Sequence, residues 1–273
     1  MSLRQWLTVS AKSWLPPIAR RAYWRLFPRF RYAADLDTSD PPGGGWNEDR
    51  VVAEERTKWE AFEDLLASTQ PLGFSHEEKQ LGNTRNLYHH NVNLAFAYAL
   101  ALAAGSTGKA SILDWGGGLG YYYKLARALF PELEVDYHVK DVPAVAAAGR
   151  LLLPSVSWHT DQLCLDAEYD LVVVNGSLQY MEDWDGFLAS AAKSVRRYLL
   201  LTRVPVVQRS ERYPAIQSAY GTKMVHWQFN ERELLRVMRS TKLRLVREML
   251  VGGSPYIRGA PEQPEMRGWL FGA

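Results

Sequence analysis

The sequence predicts an α/β fold: a mostly parallel seven-stranded sheet ending in an antiparallel hairpin, with a helical N-terminal extension. Three observations carry this. From Ser111 onward, short β-rich runs alternate with helical segments, the pattern of βαβ units. A glycine-rich turn, Asp114-Trp115-Gly116-Gly117-Gly118-Leu119-Gly120, stands between the first such run and the first such helix. The last two runs have no helix between them, so they are expected to pair with each other.

The elements follow in order. Asp40-Pro41-Pro42-Gly43-Gly44-Gly45 is a breaker cluster that reads as a linker. It divides a basic, aromatic arm (1–45 with the linker) from a helical extension (46–109) and a main domain (110–273). A helix is predicted from Asn47 to Ala67, with Val52, Trp59, Phe62 and Leu66 on one face, and a second ends at Gly105. Ser111–Trp115 is the first strand, and its following helix runs through Tyr121–Phe130 to the break at Pro131. Val135–Val139, Val156–His159, Leu171–Asn175 and Tyr198–Val204 are the next four strands. Helices are expected over Val142–Leu152, around Trp184–Val195, and from a capping box at Asn230 and Glu233. Leu243–Val251 and Met266–Phe271 form the hairpin.

Composition narrows the function classes. Hydrophobic residues make up 47% of the 273 residues and charged residues 23%, as in an ordinary globular protein. The single cysteine, Cys164, excludes an internal disulfide framework or a thiolate metal cluster within the chain and suits a reducing cytoplasm. The longest nearly apolar run, Leu94 to Ala104, is about half a membrane span, and the N-terminus lacks the apolar core of a secretory signal. Residues 1–34 hold Arg4, Lys12, Arg20, Arg21, Arg25, Arg29 and Arg31 and no acid, which leaves 25 of the 32 basic residues to face 30 acidic ones. A mildly acidic body with a basic arm argues against nucleic acid as a partner.

The glycine turn carries the chemistry. Glycines let the backbone bend sharply and leave no Cβ between chain and ligand. An acid two residues ahead of the first glycine suits a ligand with an ammonium or sulfonium group better than a pyrophosphate. Asp141 closes the second strand, where a carboxylate can accept from ribose hydroxyls, and Asp161 follows the third, within reach of an adenine amino group. Together these describe a nucleoside pocket at the carboxyl edge of a sheet.

With those residues, the sequence resembles the class I S-adenosylmethionine-dependent methyltransferases over about residues 110–273. The resemblance implies a Rossmann-like fold with S-adenosyl-L-methionine as cofactor. It implies that Asp114, Trp115, Gly116, Gly117, Gly118 and Gly120 line the methionine side and that Asp141 with Val142 holds the ribose. It places Asp161 and Gln162 at the adenine and Asn175 in the same pocket. Lys140-Asp141-Val142-Pro143, Asn175-Gly176-Ser177-Leu178-Gln179-Tyr180 and His226-Trp227-Gln228-Phe229-Asn230 further resemble a bacterial family of methyltransferases associated with surface-polysaccharide gene clusters. That points to a small-molecule or saccharide acceptor, methylated at oxygen; a scaffold keeping the fold without catalysis is the alternative.

An oxygen acceptor benefits from a general base, and His226, in the long segment after the fifth strand, is the candidate. Gln179 and Tyr180 follow the fourth strand and should face the transferred methyl. An anionic acceptor would instead use Arg203, Arg209 and Arg212. His76, His138 and His159 read as surface or strand-face residues, and His89 and His90 as helix surface. The histidines show no short-range ligand spacing, so no metal is expected. Most of the ten tryptophans are spaced for core packing, with Trp115 in the loop placed beside the cofactor. On a helical wheel of about 100° per residue, Ile18, Ala19, Ala22, Tyr23, Leu26 and Phe27 oppose Arg20, Arg21 and Arg25. Residues 1–34 are thus either a candidate peripheral contact at the inner face of the membrane or a helix whose apolar half docks on the domain or on a second subunit.

Overall fold

The computed structural model describes residues 28–36, 44–75, 81 and 84–273. The arm segment Ile18–Phe27 set on the helical wheel and most of the Asp40–Gly45 linker lie outside the described residues, as does His76. Helices are α1 (Asp49–Arg56), α2 (Trp59–Ala67), α3 (Leu87–Ala104), α4 (Tyr121–Leu129), α5 (Pro143–Leu152), α6 (Trp184–Lys193) and α7 (Glu231–Arg239). Strands are β1 (Phe30–Tyr32), β2 (Lys109–Trp115), β3 (Glu134–Lys140), β4 (Ser157–His159), β5 (Tyr169–Asn175) and β6 (Val195–Val207). They continue with β7 (Tyr213–Ala219), β8 (Thr222–Asn230), β9 (Arg244–Met249), β10 (Ile257–Arg258) and β11 (Glu265–Gly272).

The seven expected strands form one mixed, Rossmann-like sheet. β2 pairs in parallel with β3 and with β5, β3 with β4, and β5 with β6. β11 runs antiparallel between β6 and β9, so the expected hairpin forms with its second strand inserted into the sheet. The chain leaves β2 toward β3 and β4 and then crosses back to β5. β2 and β5 therefore flank the point where strand order reverses, which is where open α/β sheets bind ligands beyond their carboxyl ends.

Local chemistry sets the boundaries. Asn86 and Asn230 cap α3 and α7 by accepting from Tyr88 N and Glu233 N, Pro143 starts α5, and Gly105 (φ 54°) ends α3. β5 is apolar throughout because both its faces are covered. Leu171 and Val173 pack with Phe96, Ala99 and Leu100 of α3, while Val172 and Val174 pack with Leu188 of α6 and Leu234 of α7. α3 is thus a core helix of the main domain, although the sequence grouped it with the extension.

Four strands were not expected. β7 and β8 form an antiparallel hairpin over the segment read as a long connection, and β8 joins the main sheet through Val206↔Phe229 and Val207↔Asn230 of β6. β1 and β10 continue the sheet beyond β7, so the strand order runs β10-β1-β7-β8-β6-β5-β2-β3-β4. The single helix expected over Asn47–Ala67 is broken at Thr57–Lys58 into α1 and α2.

Candidate functional site

The β2–α4 turn is built on glycines at positive φ: Gly116 (73°), Gly118 (59°) and Gly120 (87°), values an L side chain rarely adopts. Gly116 N donates to Lys140 O at 2.7 Å and Ser177 Oγ donates to Trp115 O at 2.7 Å, so the ends of β2, β3 and β5 are tied together. Gly118 N donates to Asp141 Oδ2 at 2.8 Å, and Val142 N donates to Asp141 Oδ1 at 2.7 Å. A Cβ on Gly118 would meet the Tyr121 ring at 3.6 Å and Glu55 Oε2 of α1 at 3.7 Å, ordinary van der Waals contact. A bare backbone surface edged by a carboxylate fits a nucleoside with an amino-acid tail.

The other expected residues are distributed around this turn. Asp141, half-buried, has its pKa pushed up to about 6 by burial, against the lowering effect of its two backbone donors. Asp114 lies beneath the loop, because a Cβ on Gly117 would come within 2.5 Å of its Oδ2. Its side chain is 1% exposed and accepts from the Tyr137 hydroxyl at 3.0 Å; burial pushes its pKa up to about 7. The Trp115 ring is likewise turned into the core, 4.5 Å from Phe187 with Lys140 Nζ 4.5 Å above it, so Trp115 offers the cleft its backbone only. Asp161 and Gln162 are exposed beyond β4, where Asp161 Oδ1 accepts from Leu163 N at 3.0 Å. Asn175 accepts from Thr202 Oγ1 at 2.8 Å and donates to the Tyr122 hydroxyl.

His226 needs a correction. It is 2% exposed, packed edge-on to Phe30 at 4.9 Å and to Tyr180 at 5.5 Å. The Gln228 amide NH₂ lies 2.9 Å from His226 O, to which it donates, and 2.7 Å from His226 Nδ1. Flipping that amide would set two carbonyl oxygens against each other, so Nδ1 is an acceptor and the ring proton sits on Nε2. Burial drives the pKa down to about 3. The ring is a neutral N–H donor with its basic nitrogen engaged, the opposite of a poised general base. The expected arginine group also separates: Arg203 Nε donates to Tyr88, Arg209 pairs with Glu262, and Arg212 stacks on Trp227. His138 and His159 stack on each other, 5.2 Å between ring centres, and no cluster of metal-ligating side chains occurs among the described residues.

Several site residues were not anticipated. The extension closes over the loop: Asn47 Oδ1 accepts from Ala144 N at 2.9 Å, Arg50 donates to Gly221 O at 2.8 Å, and Tyr121 donates to Glu55 O at 3.3 Å. Arg203 and Tyr220 are the described non-glycine residues at positive φ (58° and 51°), and both stand near this cleft. Tyr220-Gly221 is the two-residue tip of the β7–β8 hairpin, a turn that requires positive φ twice. The Arg203 guanidinium lies 3.0 Å from where a Cβ on Gly176 would stand. Gln179 Oε1 and Gln228 Oε1 are buried without a hydrogen-bond partner.

No family model and no curated protein matches the chain. Among solved structures it is similar to a magnesium protoporphyrin IX methyltransferase from Synechocystis PCC 6803, at 13% identity and a TM-score of 0.47, over 82% of this chain and 99% of that one. It is similar to the mitomycin 7-O-methyltransferase MmcR at 16% identity and a TM-score of 0.43, over 82% and 69% of the two chains. The glycopeptide N-methyltransferase MtfA aligns at 15% identity and a TM-score of 0.44, over 66% and 88%. These likenesses are remote, and the functional reading rests on the residues themselves.

Proposed function

We propose that the chain is an S-adenosylmethionine-dependent methyltransferase acting on a small-molecule or saccharide acceptor at oxygen. The observation that supports this most is the β2–α4 glycine turn beside Asp141, set where strand order reverses. Gly116, Gly117, Gly118 and Gly120 would hold the amino-acid side by backbone, Asp141 and Val142 the ribose, Asp161 and Gln162 the adenine, and Asn175 the edge toward the acceptor. When bound, the cofactor supplies an activated methyl group on a sulfonium. The protein's share is alignment of the acceptor and exclusion of water, for which α1 and the β7–β8 hairpin are placed.

A surface-polysaccharide setting follows the same reading, as does a cytoplasmic protein touching the membrane through residues 1–34. No described helix is long and apolar enough to cross a membrane. Calorimetric titration with S-adenosylmethionine and S-adenosylhomocysteine tests the cofactor, and tritiated-methyl transfer to cell-envelope extracts tests the acceptor. No binding of either compound would sink the proposal; binding with no transfer to any acceptor would leave a ligand-binding scaffold.

A further inference from the structure

Positive charge in the described fold gathers at one edge of the sheet. Residues 231–250, which carry α7 and β9, hold six basic residues and three acidic ones; the rest of the chain beyond residue 34 holds 19 and 27. α7 turns Leu234 and Met238 into the core. At about 100° per residue, that sets Arg232, Arg236 and Arg239 together on the opposite, exposed side. Lys242 Nζ donates to Val195 O at 2.9 Å and fixes the following turn against the start of β6. β9 is then an outer strand, paired with β11 alone among the described strands, and every residue from Arg244 to Glu248 is exposed.

The three acids of this stretch are already matched. Arg267 of β11 meets Glu248 at 3.0 Å and Glu231 at 3.5 Å, and Glu233 lies 3.9 Å from Arg236. Arg232, Arg239, Arg244 and Arg247 have no carboxylate partner among the described residues. Interleaved with these cations are Leu245, 48% exposed, and Val246, 43%, with Leu250, 83%, just beyond.

A nucleic acid would engage the arginines but leave three aliphatic side chains without a partner, and residues 231–250 have no aromatic side chain on which a base could stack. Cations mixed with exposed aliphatic groups match a bilayer surface, where arginines meet anionic headgroups and aliphatic groups enter the acyl boundary. We propose that the α7–β9 edge docks on an anionic membrane surface. β11, β6 and β5 separate β9 from β2, so docking there does not cover the glycine turn. The inference is independent of the cofactor reading. One weak signal holds a protein at a membrane only marginally, and two hold it stably; the basic residues of 1–34 are the second signal.

The test is co-sedimentation of the full chain with vesicles of phosphatidylglycerol and phosphatidylcholine, and of phosphatidylcholine alone, at low and raised salt. One variant combines Arg232→Gln, Arg239→Gln and Arg244→Gln; another combines Leu245→Ser and Leu250→Ser. All five positions are exposed, and thermal melting checks that each variant folds. Wild type should bind the anionic vesicles, release as salt rises, and bind phosphatidylcholine alone far more weakly. The arginine variant should bind on the order of 100-fold more weakly, at about 5-fold per arginine. The leucine variant should bind about 10-fold more weakly, from lost apolar insertion. Wild-type binding by the arginine variant would overturn the proposal and leave residues 1–34 as the contact. A loss in the arginine variant with the leucine variant unchanged would overturn the bilayer in favour of a soluble polyanion. A full chain that binds no vesicle would overturn the proposal outright.

Discussion

Tyr137 of β3 donates its hydroxyl to Asp114 Oδ2 at 3.0 Å, beneath the glycine turn. The bond lowers the Asp114 pKa, but burial outweighs it and the carboxyl is pushed up from 3.8 to about 7. As pH rises the unfolded chain loses this proton first, so Asp114 lowers stability progressively between about pH 4 and pH 7 and by a constant amount above that. Asp141, raised to about 6, has the same sign. Asp170 and Glu262 are shifted downward and have the opposite sign, so the informative quantity is a difference between variants. Asp114→Asn keeps an acceptor for Tyr137 and removes the titration. It should match wild type near pH 4 and exceed it at pH 8 by up to about 4 kcal/mol. Urea unfolding at pH 4, 6 and 8 measures this, and a difference independent of pH would refute the assignment.

Gly118 and Asp141 form the cofactor edge as a pair. Gly118→Val puts a branched side chain at φ 59° and against Tyr121 and Glu55, so it should abolish S-adenosylhomocysteine binding while the far-ultraviolet dichroism stays native. Asp141→Ala removes the ribose acceptor and frees Gly118 N, and should weaken binding by about 1–3 kcal/mol. Native affinity in both variants would remove the pocket from this turn.

The parts legible in the sequence were those with a strong local signal. The βα alternation, the glycine turn and the apolar run of β5 each came through because turn chemistry and burial on both faces leave plain patterns. β7 and β8 did not. Their inward positions include Gln217, His226 and Gln228, which break the apolar alternation that marks a strand, and only Tyr220-Gly221 hinted at a hairpin tip. β1 has three residues, too short for periodicity, and is a strand because β7 offers it an edge. Asp114 and Trp115 stand together at the end of β2, and the strand's alternation buries their side chains on its two faces, Asp114 with Tyr137 and Trp115 with Phe187.

Catalysis should show no contribution from a titrating His226. With its pKa at about 3, the imidazole is neutral throughout the working range. The pH–rate profile should therefore lack an ionisation assignable to it between about pH 5 and 9. His226→Ala leaves Gln228 without its ring partner and opens space between Phe30 and Tyr180, so it should cost about 2–4 kcal/mol of stability. Turnover per folded molecule should fall less than the 10²–10⁴-fold typical of a lost general base. An ionisation near neutral pH that disappears in the variant would restore the general-base role.

Truncation of the arm should give two outcomes separated by a few residues. β1 is part of the sheet, between β10 and β7: Ser218 N donates to Arg29 O at 2.9 Å, Ala33 N donates to Pro214 O at 3.2 Å, and Tyr32 meets Tyr213 edge-on at 5.4 Å. Phe30 covers His226. Deleting residues 1–34 removes all of this and should cost on the order of 3 kcal/mol or more, the scale of losing one buried aromatic from a core. Deleting residues 1–27 keeps β1 and should leave the melting transition and S-adenosylhomocysteine binding intact. If the basic arm contacts membrane, the full chain should co-sediment with anionic vesicles at low salt and dissociate as salt is raised, because basic side chains at a charged surface are screened. The 1–27 deletion should then stay in the supernatant. Full-length protein that remains in the supernatant at low salt would remove the membrane role while leaving β1 as the part of the arm that the fold requires.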